Sequence, residues 1–206
     1  MIMVESTSYR RETTAMRRQV ILMAALKLFA TKGYTETTME DIRQLSGAST
    51  GSIYHHFENK EKLALALYLE GRQDLNVRLQ IVMNTPGLSL EETVKGLVSA
   101  YIAWFVDNPD LGQYVIQADS TEYLSAQVRF LQQSSDAVSQ HVMAWLRPII
   151  NARHIAPYPD QLYIPLLFGP SREFLRRWLR SRQDIDFHQI QQELGRAAWH
   201  TLRPDP

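Results

Sequence analysis

Apolar residues in this chain recur at intervals of three and four and almost nowhere alternate, so the sequence admits helices and offers no strand. Capping residues and breakers divide that pattern into segments. The first helix is expected over Thr13 to Lys32, with Met16, Val20, Met23, Ala24 and Leu28 as its apolar face. Gly33 suits a left-handed C-cap there, and Tyr34 can pack back on the helix. Thr38 with Asp41 forms a variant capping box for a short helix that stops at Gly47. Ser49 caps Thr50 to Phe57, and Asn59 caps a long helix from Lys60 to Met83 that ends at Thr85-Pro86-Gly87. Further helices are expected from Ser89 to Asp107, Asp110 to Gln117, Glu122 to Asn151, Asp160 to Ser181 and Asp186 to Leu202. Asn108-Pro109 and the loop Pro157 to Pro159 separate them, Pro148 disturbs a last turn, and Gly169-Pro170 marks a kink or break. The reading is all-α, with about nine helices.

Length and composition narrow the function classes. The 206 residues, 45% of them hydrophobic, can bury a substantial core. There is no cysteine, which excludes disulfides, thiolate metal sites and a Cys nucleophile, and agrees with a reducing cytoplasm. No run of about 18 apolar residues is present to span a membrane, and residues 1–16 lack an apolar signal core. Residues 1–12 read as a flexible arm and the location as cytoplasmic. Formal net charge is zero, so any basic surface must be local. Arg10, Arg11, Arg17, Arg18, Lys27 and Lys32 make one basic stretch, and Arg172, Arg176, Arg177, Arg180 and Arg182 another, which reads best as a solvated face. The six histidines offer no i, i+4 pair in the body, so no metal and no cofactor is expected. Nucleophile-elbow, phosphate-loop and zinc-helix motifs are absent, so no enzyme is indicated.

The segment Thr38 to Phe57 carries the function. Two short helices meet at Gly47, where only a small residue fits a tight turn. Ile42 and Leu45 on the first and Ile53 and Phe57 on the second are spaced to lock the pair, leaving Thr50, Ser52, Tyr54 and His55 outward. Hydroxyls and flat polar rings suit base edges and phosphate oxygens in a major groove. Three helices ending in this unit make a compact DNA-binding head over 13–59, followed by a helical body over 60–206 whose first helix, 60–83, links the two.

The run Gly47-Ala48-Ser49-Thr50-Gly51-Ser52-Ile53-Tyr54-His55-His56-Phe57-Glu58-Asn59-Lys60-Glu61-Lys62-Leu63 resembles the signature of the TetR family of bacterial regulators. Phe29 to Tyr34 and Thr37 to Ile42 are similar to it as well, so the resemblance spans roughly Arg17 to Leu65, and the remaining two thirds match only in helical plan. The resemblance implies that Tyr54 and His55 contact phosphates or bases, and that Thr50, Gly51 and Ser52 lead the recognition helix. It further implies that Thr38 meets phosphate and that Lys60 meets one at a helix N-terminus. Glu40 and Glu58 would oppose phosphate unless they point away.

Behind the head, Tyr101, Trp104, Phe105, Tyr123 and Phe168 are candidate walls for a small apolar or aromatic effector. Phe174, Trp178, Ile190, Leu194, Ala197 and Ala198 are candidates for a homodimer interface, because a palindromic duplex operator needs a two-fold protein. The function read from the sequence is a DNA-binding transcriptional regulator, a repressor released by its effector. The alternative is a ligand-independent DNA-binding protein, architectural or of cell-division type, on the same fold.

Overall fold

The computed structural model describes the backbone of residues 2–119 and 137–204. Among them are nine helices and no strand: α1 (Ile2–Thr31), α2 (Met39–Ser46), α3 (Thr50–His56), α4 (Lys60–Met83), α5 (Leu90–Asp107), α6 (Pro109–Asp119), α7 (Ala137–Asn151), α8 (Asp160–Ser181) and α9 (Phe187–Leu202). Residues 122–136 of the expected Glu122 to Asn151 helix lie outside the described residues, and the remainder is α7. The described chain forms two compact units, one of residues 2–70 with 117–119, the other of 71–116 with 137–204. The division falls inside α4, between Glu70 and Gly71.

In the first unit, α1 starts at Ile2, within the stretch 1–12 read as an arm. No Gly or Pro interrupts residues 2–31, so nothing in the backbone stops the helix from extending upstream. The buried face of α1 also differs from expectation. Ile21, Leu22, Ala25, Leu26 and Phe29 enter the core together with Ala24, whereas Met16, Val20 and Met23 are exposed and Leu28 is half-buried. Residues 20–26 are apolar without a break, so two stripes compete there and periodicity alone does not choose between them. Gly33 takes a left-handed φ of 87°, and the Tyr34 ring returns to Phe29 at 5.3 Å in an edge-on contact. The buried Thr37 hydroxyl donates to the Gly33 carbonyl at 2.7 Å and closes this turn.

In the second unit α5 is the central helix. Its capping box pairs Ser89 with Glu92, and Val94, Leu97, Val98, Tyr101, Ile102, Trp104 and Phe105 are all buried. Each such large side chain contributes about 1.5–3 kcal/mol by leaving water. Helices α8 and α9 pack on α5. At Gly195 of α9 a methyl group would stand 3.3 Å from the Lys95 backbone, so this glycine permits the close approach of α9 to α5. Of the kink or break expected at Gly169-Pro170, the break does not occur, because α8 runs through Pro165 and Pro170 as one helix. Burial of Leu167, Phe168, Ser171 and Leu175 on one face outweighs the hydrogen bonds that the prolines remove. Pro148 likewise lies inside α7. The loop before α8 is fastened by Tyr163, whose buried hydroxyl donates to the Ala156 carbonyl and accepts from the Tyr158 N–H, both at 3.0 Å.

Candidate functional site

The helix-turn-helix is built from three local devices. Thr38 and Asp41 close a reciprocal capping box at the start of α2, with Asp41 N–H donating to the Thr38 hydroxyl at 3.1 Å and Thr38 N–H to the Asp41 carboxylate at 2.8 Å. Gly47 then turns the chain with a φ of 65°, a conformation that other residues adopt at a cost. Ser49 caps α3 by accepting the Ser52 N–H at 3.2 Å. Ile42, Ile53 and Phe57 are buried and fix the pair. Leu45 does not join them and is exposed, which corrects its assignment as a locking residue. On α2 the inward stripe is Met39, Ile42, Arg43 and Ser46, and Leu45 sits on the flank beside it.

Those contacts leave one face of α3 open. Thr50, Gly51, Tyr54 and His55 are exposed and Ser52 is half-buried, so all five are brought to one short helix at its solvent side. Gly51 has a helical backbone, and a methyl group there would meet nothing within 4 Å. The protein itself has no need of a glycine at that position, although glycine costs about 1 kcal/mol in a helix. Thr38 is exposed at the start of α2, its hydroxyl oxygen already accepting the Asp41 N–H.

Two acidic residues of α2, Glu40 and Asp41, are compensated. Glu40 accepts from Arg43 at 2.6 and 2.7 Å and from Gln44 at 3.0 Å, and these bonds hold its carboxyl down at a pKa of about 2. Asp41 is likewise held at about 2 by Lys32 and by the capping bonds to Thr38. Glu58 is exposed.

Lys60 has a role that sequence reasoning did not foresee. Its ammonium donates to the carbonyls of Tyr34 and Thr37, each at 2.8 Å, and of Thr35 at 3.2 Å, and lies 4.4 Å from the Tyr34 ring centroid. Three carbonyls occupy the three donors of an ammonium, so what Lys60 can offer a phosphate is charge rather than a hydrogen bond. The loop made no sequence signal for this, because backbone carbonyls carry no residue identity.

Two further basic residues come to α3 from α1. Arg18 places its guanidinium 5.3 Å from the Phe57 ring centroid and pairs with Glu70. Burial, the neighbouring His55, and the Arg18 and Arg17 charges together hold His56 below the usual histidine pKa. The basic run in the sequence was the available signal, but only the crossing of α1 with α3 places Arg17 and Arg18 beside the recognition helix.

In the second unit, four of the five residues expected to wall an effector site are buried and associated. Tyr101 stacks on Phe168 at 4.7 Å between centroids and meets Phe105 at 5.0 Å, while Trp104 stands edge-on to Phe105 at 4.8 Å. The Trp104 indole N–H donates to Asp74 at 2.7 Å. Tyr123 lies outside the described residues. Among the described residues, a groove of about 560 Å³ runs along α7, lined by Gln140, Met143, Ala144, Arg147, Pro148 and Asn151.

The residues expected at a dimer interface divide. Ala198 is buried within the chain's own core and is removed from that set, because Gly195 and Ala198 form the face of α9 turned inward. Ile190 and Leu194 are half-buried and Ala197 is exposed, spaced along one side of α9. Phe174 and Trp178 on α8 meet Phe187 at 6.5 and 4.9 Å, both edge-on, and remain half-buried.

Known proteins agree with this geometry. Residues 21–67 match the model of the bacterial regulatory proteins of the tetR family. The HTH-type transcriptional repressor AcnR of Corynebacterium diphtheriae is 46% identical over 56 residues, 27% of this chain and 30% of that protein. The repressor KstR2 of Mycolicibacterium smegmatis is 31% identical over 111 residues, 54% of this chain and 53% of that one. The chain thus spans about a third and about half of the length of these two curated relatives. Among solved structures, a TetR family transcription regulator from Marinobacter aquaeolei VT8 superposes with a TM-score of 0.77 at 18% identity, over 96% of this chain and 100% of that one. FadR of Bacillus subtilis in complex with stearoyl-CoA gives 0.76 at 18% identity, over 87% and 96%. At such identities the structural likeness speaks to the fold.

Proposed function

We propose that this chain, whose residues 21–67 match the model of the bacterial regulatory proteins of the tetR family, is a cytoplasmic, homodimeric transcriptional regulator that binds a palindromic operator and is released from it by a small apolar effector. The observation that carries the reading is the open face of α3, where Thr50, Gly51, Tyr54 and His55 are exposed beside the half-buried Ser52 and a methyl group at Gly51 would meet nothing within 4 Å. A two-fold dimer would present two such helices about 34–36 Å apart, one turn of duplex. Helix α4 is continuous from Lys60 to Met83. An effector shifts this equilibrium only if it prefers the released state. The repressor names of AcnR and KstR2 support the sign of regulation, and the stearoyl-CoA bound to FadR, an apolar acyl chain on a charged carrier, supports an effector with an apolar part.

A second reading, a ligand-independent DNA-binding protein, is favoured by one observation. Tyr101, Phe105, Trp104 and Phe168 pack against one another, as they would in a filled body. The two readings separate in one experiment. A duplex is selected from a random library by the full chain, and apolar compounds are screened for release of that duplex together with a rise in Tm. Release with stabilisation supports the first reading. Release only where the protein unfolds supports the second, and failure to select any duplex contradicts both.

A further inference from the structure

Beneath the surface of the second unit lies a polar group whose donors find no acceptor among the described residues. Asn76 of α4 is 1% exposed. Its Oδ1 stands 3.0 Å from Nδ1 of His141 on α7, so the imidazole donates from Nδ1 to the amide oxygen. That single bond leaves the two N–H donors of the carboxamide without an acceptor among the described residues. The neighbouring positions on both helices, Leu75 and Leu79 on α4 and Val138 and Val142 on α7, are buried and apolar. Buried amide donors are nearly always paired in a folded protein, and one left unpaired is a standing penalty that an apolar residue of the same shape would avoid. His141 is itself exposed and does not need Asn76 to satisfy its ring.

We propose that Asn76, held in orientation by His141, is the polar anchor for the effector, donating its amide N–H to an acceptor oxygen on an otherwise apolar molecule. This rests on the reading of the chain as a ligand-released regulator and narrows it to a chemical class. The effector carries a carbonyl or carboxylate oxygen and no need for a donor of its own, because Asn76 brings donors. A carboxylate and a neutral carbonyl share that chemistry, and probes can tell them apart. An apolar surround of this kind supplies orientation through few polar contacts, as small-molecule sites generally do.

The test uses the full chain and probes matched in shape. Dodecanoate and methyl dodecanoate are compared with dodecyltrimethylammonium, and fluorenone with fluorene; only the first two and fluorenone bear an acceptor oxygen. Tm and release of the selected duplex are followed in wild type, Asn76→Leu and His141→Gln. Wild type is expected to respond to an oxygen-bearing probe at a concentration at least about tenfold below its oxygen-free partner, as one hydrogen bond to a ligand allows. Response to dodecanoate alone identifies a carboxylate, and response to methyl dodecanoate or fluorenone a neutral carbonyl. Asn76→Leu is expected to abolish that preference while its Tm without probe stays level or rises, since an unsatisfied amide has been removed. His141→Gln, whose amide can brace Asn76 from the same side, is expected to keep part of the preference.

Three results overturn the proposal. One is a fall of several degrees in the Tm of Asn76→Leu without probe, which marks the amide as structural and satisfied by water. Another is an unchanged oxygen preference in that variant. The third is a wild type that ignores every oxygen-bearing probe. Release by fluorene or by the quaternary ammonium with no oxygen preference would contradict the anchor alone and leave the ligand-released reading standing.

Discussion

The Lys60 ammonium is 2.8 Å from the carbonyl oxygen of Tyr34 and 4.4 Å from the centroid of that residue's ring. With Thr35 and Thr37 as its other acceptors, Lys60 ties the start of α4 to the loop that delivers Thr38 to the cap of α2. The cation thereby fixes the entrance of the helix-turn-helix.

Replacing Lys60 by Met keeps the stem and removes the donors. The variant is expected to lose about 1–3 kcal/mol of stability, read by thermal or urea unfolding, because loop carbonyls that the ammonium satisfied are left to water. The slope of log affinity against log salt is expected to fall by less than about one unit, since the ammonium offers phosphate only its charge. Full stability with a loss of one whole unit would instead assign Lys60 to phosphate.

His56 predicts a pH dependence of the head. Its folded-state pKa is depressed, first by burial and then by His55, Arg18 and Arg17. The unfolded chain therefore takes up the proton more readily, and stability present above pH 6.5 is lost as pH falls below that value. His56→Gln is expected to flatten the Tm profile in this window, and an unchanged profile would contradict the burial of His56 against those charges.

Two glycines are expected to respond in opposite directions to the same substitution. A methyl group at Gly112 would stand 2.5 Å from Cδ1 of Phe105, which is buried and cannot yield. Gly112→Ala is expected to cost about 1–3 kcal/mol through overpacking. Gly51→Ala meets nothing, and is expected to leave stability level or raise it by up to about 1 kcal/mol while weakening DNA binding. Unfolding curves and DNA titrations on both variants check the pair.

The dimer prediction falls on the outer side of α9. Leu194→Arg is expected to give a folded monomer, because the residue is only half-buried within its own chain. Ala198→Leu is expected to destabilise the chain itself, because Ala198 is in the core. Sedimentation velocity with unfolding curves distinguishes the two, and a Leu194→Arg dimer would contradict the assignment.

Much of the head was legible in the sequence because its devices are local. The Thr38 box, the Gly47 turn and the Ser49 cap each announce themselves within four residues, and the structure forms all three. The face of α1 was not legible, since an unbroken apolar run lets more than one stripe satisfy the same period. Leu45 failed for a related reason: spacing proposes a contact, but a helix of eight residues has room for only one inward stripe. Asn76 was invisible as a site, and Lys60 was visible as a phosphate contact but not as a tie to the loop, because what distinguishes them is a partner 65 residues away in one case and backbone carbonyls in the other.

The central claim, that the open face of α3 reads DNA, is tested most directly by the affinity of Tyr54→Ala/His55→Ala for the selected duplex. Both side chains are exposed, so the double variant should keep the wild-type Tm. Its affinity for the selected duplex is expected to fall at least about a hundredfold, as loss of two base or phosphate contacts implies, leaving only weak salt-dependent binding. Wild-type affinity in a fully folded double variant would show that this face is not the one that meets DNA.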